Sequence, residues 1–406
     1  MKILRNSQGI ALVVVLMLMV ILLSITGASL LFSRLNVKTA IHFRSAGGAV
    51  HVADAGIQHA LAIVNQGASF TYSTETTVLN STIFGYGYSY SVTALNGPGS
   101  EQATFISTAT GPNSSKAVIT AVVQRRTLFS IPGAFNLVGE AQASFREDGF
   151  EIDGRDYSLA NSLSLTNPDK LGISIGDISP PSTQTPAGAK SAVINALDSD
   201  QKDNVKGFAF VASPVTPSVD IDNSLSKQSV QDFVNFLKPI ADSYITVNSR
   251  GGDVSRSIRN STDANGDLNL GGRIINMGTT SSPKIVFFDG DPAGTRGDLR
   301  LTFEGNITGA GILVMRDNDL KFLGRLDWKG LIIVTGPDTS ITFAAGSDAQ
   351  DILGAVVVSE ADTDSGAELS ISSTNLRIRA SKQALDLTQS AMDNKPSLKV
   401  VAWKQP

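Results

Sequence analysis

The distribution of apolar residues at the start of the chain predicts one long helix. Residues 10–32 form a run of 23 residues without a charge, which at about 1.5 Å per residue is long enough to cross a bilayer. Apolar side chains then recur at helical spacing, at Ala46, Val50, Ala53, Ile57, Leu61 and Val64. No proline interrupts this stretch, and Gln66-Gly67 supplies an end signal. We therefore predict a helix over residues 10–66, transmembrane in its first half and amphipathic in its second.

The pattern then changes to a period of two. Tyr88, Tyr90, Val92 and Ala94 alternate with serine and threonine, and residues 102–109 and 117–124 read as two further strands. Residues 67–127 are therefore predicted to form an antiparallel β-meander that covers the outer half of the helix.

The next region, residues 128–300, is rich in turn residues and is predicted to be a mixed insert of loops and short helices. Residues 177–186 read as a linker or loop. Residues 225–238 carry apolar side chains at helical spacing and stop before Pro239, which predicts a short helix.

Residues 301–406 contain an internal repeat. Residues 301–315 align with 320–334 and then with 341–358, so that Phe303, Phe322 and Phe343 correspond, as do Gly311, Gly330 and Gly354. Two short strands per unit with a glycine at the corner favour a stacked β-solenoid, although an antiparallel sandwich with coincidentally similar strands is the alternative. Residues 368–381 read as a further coil, and residues 134–157 resemble a stray first coil. The fold class is therefore α+β: a long helix, a meander head and a mostly β body.

The amino-acid composition argues against several classes of protein function. The 406 residues include 33 Lys and Arg against 37 Asp and Glu, for a net charge of −4, which argues against a broadly basic nucleic-acid binder. The absence of cysteine excludes disulfides, thiolate metal sites and cysteine nucleophiles. The three histidines, His42, His51 and His59, all fall in or near the outer helix and are expected to be surface or subunit-contact residues.

Candidate chemistry is sparse. Asp263, Asn265 and Asp267 match the first oxygen ligands of a calcium loop, but Leu268 and Ile274 occupy positions that need Gly and Glu. An Asx-rich turn is favoured over a weak calcium site. Two carboxylate clusters, Asp289 with Asp291 and Glu360 with Asp362 and Asp364, leave a polysaccharide lyase or hydrolase as the enzymatic rival. They lie in Gly/Ser-rich turns rather than within strands, so we expect a protein without catalytic activity or cofactor.

Residues 5–64 resemble a known family. Basic residues, then Gly9, then the uncharged start Ile10-Ala11-Leu12-Val13 resemble a type IV prepilin, and Ala53-Asp54-Ala55-Gly56 is similar to a motif of PilX-type minor pilins. The resemblance implies that residues 1–9 are a leader removed by a prepilin peptidase after Gly9, which makes Ile10 the new amino terminus. It implies membrane lipid and other minor and major pilins as partners, and a location in the bacterial inner membrane with a periplasmic body, at the pilus tip or at the cell surface.

Val14 departs from the major-pilin pattern. Major pilins carry a glutamate at the fifth residue of the mature chain, where its carboxylate pairs with a neighbour's amino terminus in the apolar filament core. Valine lacks that carboxylate, which favours a role in initiation or at the tip of the filament. The alternative is a plain signal anchor that carries a β-helix adhesin or a carbohydrate-active body.

Overall fold

The computed structural model describes residues 4–65, 72–83, 86–98, 102–125, 128–164, 166–178, 184–247, 257–258, 268–270, 273–290, 300–317, 319–337, 339–344, 348–361, 366–393, 395 and 398–404. The chain divides into two compact units. We call residues 1–126 with 397–406 the helix unit, and residues 127–396 the body.

Four α-helices lie in the described residues: α1 (Leu4–Asn65), α2 (Pro186–Asn195), α3 (Lys227–Leu237) and α4 (Lys382–Asp393). The first strands are β1 (Thr76–Ile83), β2 (Tyr88–Asn96), β3 (Gln102–Thr110), β4 (Lys116–Arg125), β5 (Gly133–Val138), β6 (Glu140–Phe145), β7 (Phe150–Asp153), β8 (Leu171–Gly176) and β9 (Val205–Lys206). They are followed by β10 (Val211–Ala212), β11 (Val215–Thr216), β12 (Val219–Ile221), β13 (Ser243–Thr246), β14 (Ser257–Ile258), β15 (Leu268–Leu270), β16 (Arg273–Ile275), β17 (Lys284–Asp289) and β18 (Arg300–Phe303). The last are β19 (Ile307–Arg316), β20 (Asp319–Phe322), β21 (Leu326–Gly336), β22 (Thr339–Phe343), β23 (Gln350–Glu360), β24 (Gly366–Ile371), β25 (Leu376–Ala380) and β26 (Leu398–Lys404).

The helices begin where side chains satisfy their first N–H groups. The predicted helix over 225–238 is confirmed as α3, where Ser226 and Ser229 form a reciprocal capping box. Helix α2 begins at Pro186, after Thr185 accepts a 3.1 Å hydrogen bond from the Gly188 N–H. Helix α1 already begins at Leu4, so the described part of the predicted leader is helical instead of preceding the helix.

The helix unit contains a five-stranded antiparallel sheet in the order β1-β2-β3-β4-β26. The three predicted strands are confirmed as β2, β3 and β4. The sequence prediction missed both outer strands. β1 (TTVLNSTI) has too many polar residues to show an alternating pattern, and β26 lies far along the chain, in the segment predicted as part of the repeat region. The assignment of residues 398–404 to that region was therefore wrong.

The body contains two parallel sheets. The main sheet follows the path β12-β8-β5-β23-β21-β19-β17-β13, and the second follows β14-β18-β20-β22-β24-β6. The three predicted repeats provide β18 with β19, β20 with β21 and β22 with β23. Their register is the predicted one, because Gly311 pairs with Gly330 and Gly330 with Gly354.

The predicted stacking of the three phenylalanines is also confirmed. Phe303 and Phe322 stack at a ring-centroid distance of 5.4 Å, and Phe322 and Phe343 at 5.7 Å. All three rings are buried in one apolar cluster between the strands of the repeats. Each repeat therefore adds one ring to a continuous column.

A column of glycines, Gly311, Gly330 and Gly354, lies within the long strands of the repeats. Gly330 and Gly354 have φ values of 136° and 138°, a left-handed conformation that favours glycine. A Cβ on Gly354 would lie 2.0 Å from the Gly330 carbonyl oxygen, and one on Gly330 would lie 2.1 Å from that of Gly311. These positions therefore require glycine for both conformation and space.

Residues 128–300 do not form a separate insert. They supply parallel strands to both ends of the repeat array: β5 and β6 pair with β23 and β24, whereas β17 pairs with β19 and β13 with β17. The predicted first coil at 134–157 thus lies next to the last repeat and does not precede the first one. Tertiary pairing decides which strand edge each segment joins. The order of the segments along the chain does not specify that pairing.

The main sheet is apolar on both faces. Leu313, Ile332 and Val356 face one cluster with the phenylalanine column, whereas Ile312, Leu331 and Ala355 face a second cluster with residues of α3 and α4. Burial on both sides explains why the second halves of the long strands are continuous apolar runs.

Candidate functional site

The first half of α1 presents apolar side chains to the outside. The stretch from Leu12 to Val64 is long and apolar enough to cross a membrane, and its most apolar 18 residues have a mean hydropathy of 2.7 with none of that window buried. Exposed large apolar residues continue from Leu12 to Phe43, and Val14 among them is 49% exposed. Such a surface is compatible with lipid or with other apolar helices as its surroundings.

The second half of α1 packs on the sheet of the helix unit through small residues. Ala49, Ala53 and Ala60 are fully buried against it. The predicted stripe is confirmed at Ala53, Ile57 and Val64, which are buried, and in part at Val50 and Leu61, which are half-buried against the same cluster. At its start the prediction was wrong: Ala46 is exposed, whereas Ser45 is buried. Small side chains occupy the centre of the contact because they let the backbones of helix and sheet approach each other.

The Ala53-Asp54-Ala55-Gly56 motif lies at this close approach. Ala53 and Gly56 face the sheet, Asp54 is half-buried and Ala55 is exposed. A Cβ on Gly56 would lie 2.4 Å from the Ser107 Oγ and 2.9 Å from Cδ2 of Tyr90. The motif thus combines two contact positions, Ala53 and Gly56, with one half-buried and one exposed position.

Polar groups reinforce the contact between helix and sheet. The His59 Nδ1 and the Tyr90 hydroxyl lie 2.8 Å apart, and the Tyr88 hydroxyl donates to the Ser45 carbonyl at 3.3 Å. The alternation in β2 placed Tyr88 and Tyr90 on one face, but no sequence pattern predicted their partners on α1. His42 and His51 are exposed.

The predicted processing residues Gly9 and Ile10 lie within α1, and their side chains are outside the described part of the structure. The weak calcium candidates Asp263, Asn265 and Asp267 also lie outside the described residues. Within the described residues, no group of three or more His, Cys, Asp or Glu side chains is arranged to hold a metal ion.

The candidate acids Asp289 and Glu360 are the last residues of β17 and β23, so their predicted location in turns outside the strands was wrong. Asp289 belongs to an ion network at the end of β17. Arg316 donates to it from Nε at 2.6 Å and from Nη2 at 2.8 Å, Lys238 lies 2.9 Å away, and the Tyr244 hydroxyl also donates to it. Burial raises the pKa of Asp289, but the hydrogen bonds from Tyr244, Lys238 and Arg316 outweigh it and hold the pKa below its ordinary value. The carboxylate is therefore held ionised by fixed donors.

Glu360 occupies the corresponding end of β23. Its carboxylate lies 3.6 Å from the Lys227 amine and accepts a 3.2 Å hydrogen bond from the Glu140 N–H. Its side chain is buried. Asp291, Asp362 and Asp364, which completed the predicted carboxylate clusters, lie outside the described residues.

No protein-family model matches this chain, and no curated protein matches it. Among solved structures, it is similar to the crystal structure of the competence-associated pilin ComZ from Thermus thermophilus. The match covers 89% of this chain and 97% of that chain, with 11% sequence identity and a TM-score of 0.25. At that TM-score the two chains do not superpose as a whole, so no property of this protein is inferred from the match.

Proposed function

We propose that this chain is a membrane-anchored minor pilin of the PilX type, which acts in initiation or at the tip of a type IV pilus. The observation that carries the proposal is the division of α1. Its first half is uniformly apolar and exposed, and its second half is attached to an antiparallel sheet by a stripe of small residues. The first half would lie in the inner membrane or pack against other pilin helices, and the body would lie in the periplasm.

The position of the Ala53–Gly56 motif supports the PilX assignment. Gly56 lies where the helix approaches Tyr90 and Ser107 most closely, which gives the motif a packing function. Val14 supports the tip or initiation role, because a subunit without a carboxylate there offers no counter-charge to the amino terminus of a neighbour in an apolar core.

The body would serve as a β-solenoid platform without catalytic activity or a cofactor. The column of phenylalanines and the column of glycines support this interpretation, because both recur at one register position in successive sequence repeats. The described candidate acids Asp289 and Glu360 are both occupied by ion pairs, which suits structural roles.

Processing tests the assignment. Intact mass and amino-terminal sequencing of the chain, expressed with and without a prepilin peptidase, should show a mature protein that begins at Ile10 only when the peptidase is present. Gly9→Val should block this conversion, and the matched change Ser7→Ala should leave it intact. An unprocessed chain in peptidase-competent cells would favour a plain signal anchor.

Localisation tests the role. Immunogold labelling with antibodies to the body should mark filament ends or the membrane, at few copies per filament. Uniform labelling along the shaft would contradict the tip and initiation role while leaving pilin identity intact.

A further inference from the structure

A cavity of about 620 Å³ lies in the body at the β12 end of the main sheet. It is formed by the segments that lead into β8, follow β9 and join β25 to α4. Its volume is typical of small-ligand pockets, which span about 300–1,000 Å³. None of the residues named above in the ion networks of Asp289 and Glu360 lines this cavity.

The backbone fixes one side of this cavity. The Lys170 N–H donates to the Gly154 carbonyl at 2.8 Å, and the Phe208 N–H donates to the Lys170 carbonyl at 2.7 Å. Gly207, with φ 136°, allows the close approach, because a Cβ there would lie 2.4 Å from the Lys170 oxygen. The backbones of Lys170 and Phe208 are therefore held in place before a ligand arrives, which lowers part of the entropic cost of binding.

The polar groups of the wall include both donors and acceptors. The Lys170 amine donates to the Ile131 carbonyl at 2.7 Å, and an ammonium has two further N–H groups. Asp156, only 5% exposed, accepts 2.7 Å hydrogen bonds from the Asn167 Nδ2 and the Lys382 N–H. Asp156 thereby orients the Asn167 amide, whose carbonyl oxygen remains an acceptor at the cavity.

Burial of the Lys170 amine has a free-energy cost that a purely structural role does not explain. Burial lowers the pKa of its amine, against the opposing effect of Asp156, and Lys382 lowers it further. A hydroxyl group from a ligand would supply an acceptor for this amine without adding another charge.

Phe208 adds an apolar surface beside these polar groups. Its side chain is 64% exposed, in the loop that precedes the β10–β11 hairpin. The face of an aromatic ring attracts C–H groups that carry a partial positive charge. A molecule with an apolar C–H face and a rim of hydroxyls matches this combination, and a sugar ring has that form.

The charge of the wall distinguishes between kinds of sugar. Four aspartates line it, Asp156, Asp169, Asp220 and Asp222, against two lysines, Lys170 and Lys382. Within the described residues, Asp220 alone of these four pairs with a cation from outside the wall, Lys190, at 2.8 Å. An excess of carboxylates accepts hydrogen bonds from hydroxyls and repels a uronate. We propose that this cavity binds a neutral saccharide, which stacks on Phe208 and receives hydrogen bonds from Lys170.

Binding is tested on the full chain in a detergent without a sugar headgroup, such as lauryldimethylamine oxide. Isothermal titration with maltotriose, cellotriose and chitotriose should give saturable binding to at least one of them, and trigalacturonate should bind more weakly. Phe208→Ala and Lys170→Met should each weaken binding about tenfold. Lys170→Arg, which keeps a donor, should lose less.

Val211→Ala is the matched control, because Val211 is an exposed apolar residue of the adjoining hairpin outside the cavity wall. It should bind like the parent chain, and thermal unfolding should show that all variants remain folded. Absence of saturable binding to all three neutral trisaccharides would overturn the proposal, as would equal affinity of the parent, Phe208→Ala and Lys170→Met. Tighter binding of trigalacturonate would overturn the choice of a neutral sugar. None of these outcomes depends on pilin processing.

Discussion

Phe322 stacks on Phe343 with an interplanar angle of 12°, although 21 residues of sequence separate them. Phe303 stacks on the other side of Phe322 at 17°. The column exists because each repeat returns the chain to the same register in the second sheet, where Phe322 pairs with both Phe303 and Phe343. Substitution of Phe322, the central ring, therefore measures how strongly neighbouring repeats stabilise each other.

Phe322→Ala should destabilise the body by about 3–5 kcal/mol, because it removes a fully buried ring and leaves a cavity between two others. Fluorescence of the buried Trp328 would follow unfolding in denaturant, with Trp403 of the helix unit replaced by phenylalanine in both parent and variant. Lys321→Ala, at the adjoining half-buried position, should change stability by less than about 0.5 kcal/mol. Equal effects of the two changes would contradict the stacked column.

Gly56→Ala should loosen the contact between α1 and its sheet. The added methyl group would lie 2.4 Å from the Ser107 Oγ, and overpacking of about 1–3 kcal/mol exceeds the gain in helix propensity of about 1 kcal/mol. We expect faster hydrogen exchange of the amides in β2 and β3.

Gly47→Ala supplies the control, because a Cβ at Gly47 meets nothing within 4 Å. That change should leave the exchange of β2 and β3 unaltered or slower. If both alanines protect these amides equally, Gly56 does not serve the close approach.

Local periodicity explains what the sequence predicted well. The apolar helix, strands β2 to β4, helix α3 and the register of the repeats all follow from spacing within about 60 residues or fewer. The buried face of α1 was predicted in part, at Ala53, Ile57 and Val64. The prediction missed Ala49 and Gly56, because small residues carry little apolar signal although they allow the close approach to the sheet.

Long-range pairing explains what the sequence did not predict. β26, from the other end of the chain, pairs with β4. β5 and β6, which precede all the repeats in the sequence, pair with β23 and β24. No local pattern specifies which edge such a strand joins. Lys170 and Phe208 belong to no motif and meet only through the fold.

Asp289 should make stability depend on acid pH. Its pKa is lower in the folded chain than the ordinary value of about 4. Its stabilising contribution is therefore fully present above about pH 4 and is lost as the pH falls through the lower folded pKa. Denaturant unfolding of the body across pH 2–7 should show this loss in the parent chain.

Asp289→Asn should flatten that acid dependence and lower stability at pH 7 by about 1.5–3 kcal/mol, because Lys238 and Arg316 lose charged hydrogen bonds, although Arg316 keeps Asp317 at 3.5 Å. The control is Asp386→Asn, which removes an exposed pair with Lys382 and should cost less than about 1 kcal/mol. An unchanged pH profile in Asp289→Asn would mean that other carboxyls carry the acid dependence.

Removal of residues 397–406 should expose β4 as a sheet edge. β26 pairs antiparallel with β4 from Leu398, opposite Arg125, to Lys404, opposite Thr120. In an antiparallel sheet, alternate amides of a strand point to opposite neighbours, so every second amide of β4 should lose its protection while the others stay bonded to β3. Hydrogen exchange resolved by residue would show this alternation in β4 and unchanged protection in the repeat strands of the body. Uniform protection of β4 after truncation would mean that β26 contributes nothing to this edge, and loss of protection in β19 and β21 would mean that the carboxyl-terminal strand supports the body instead.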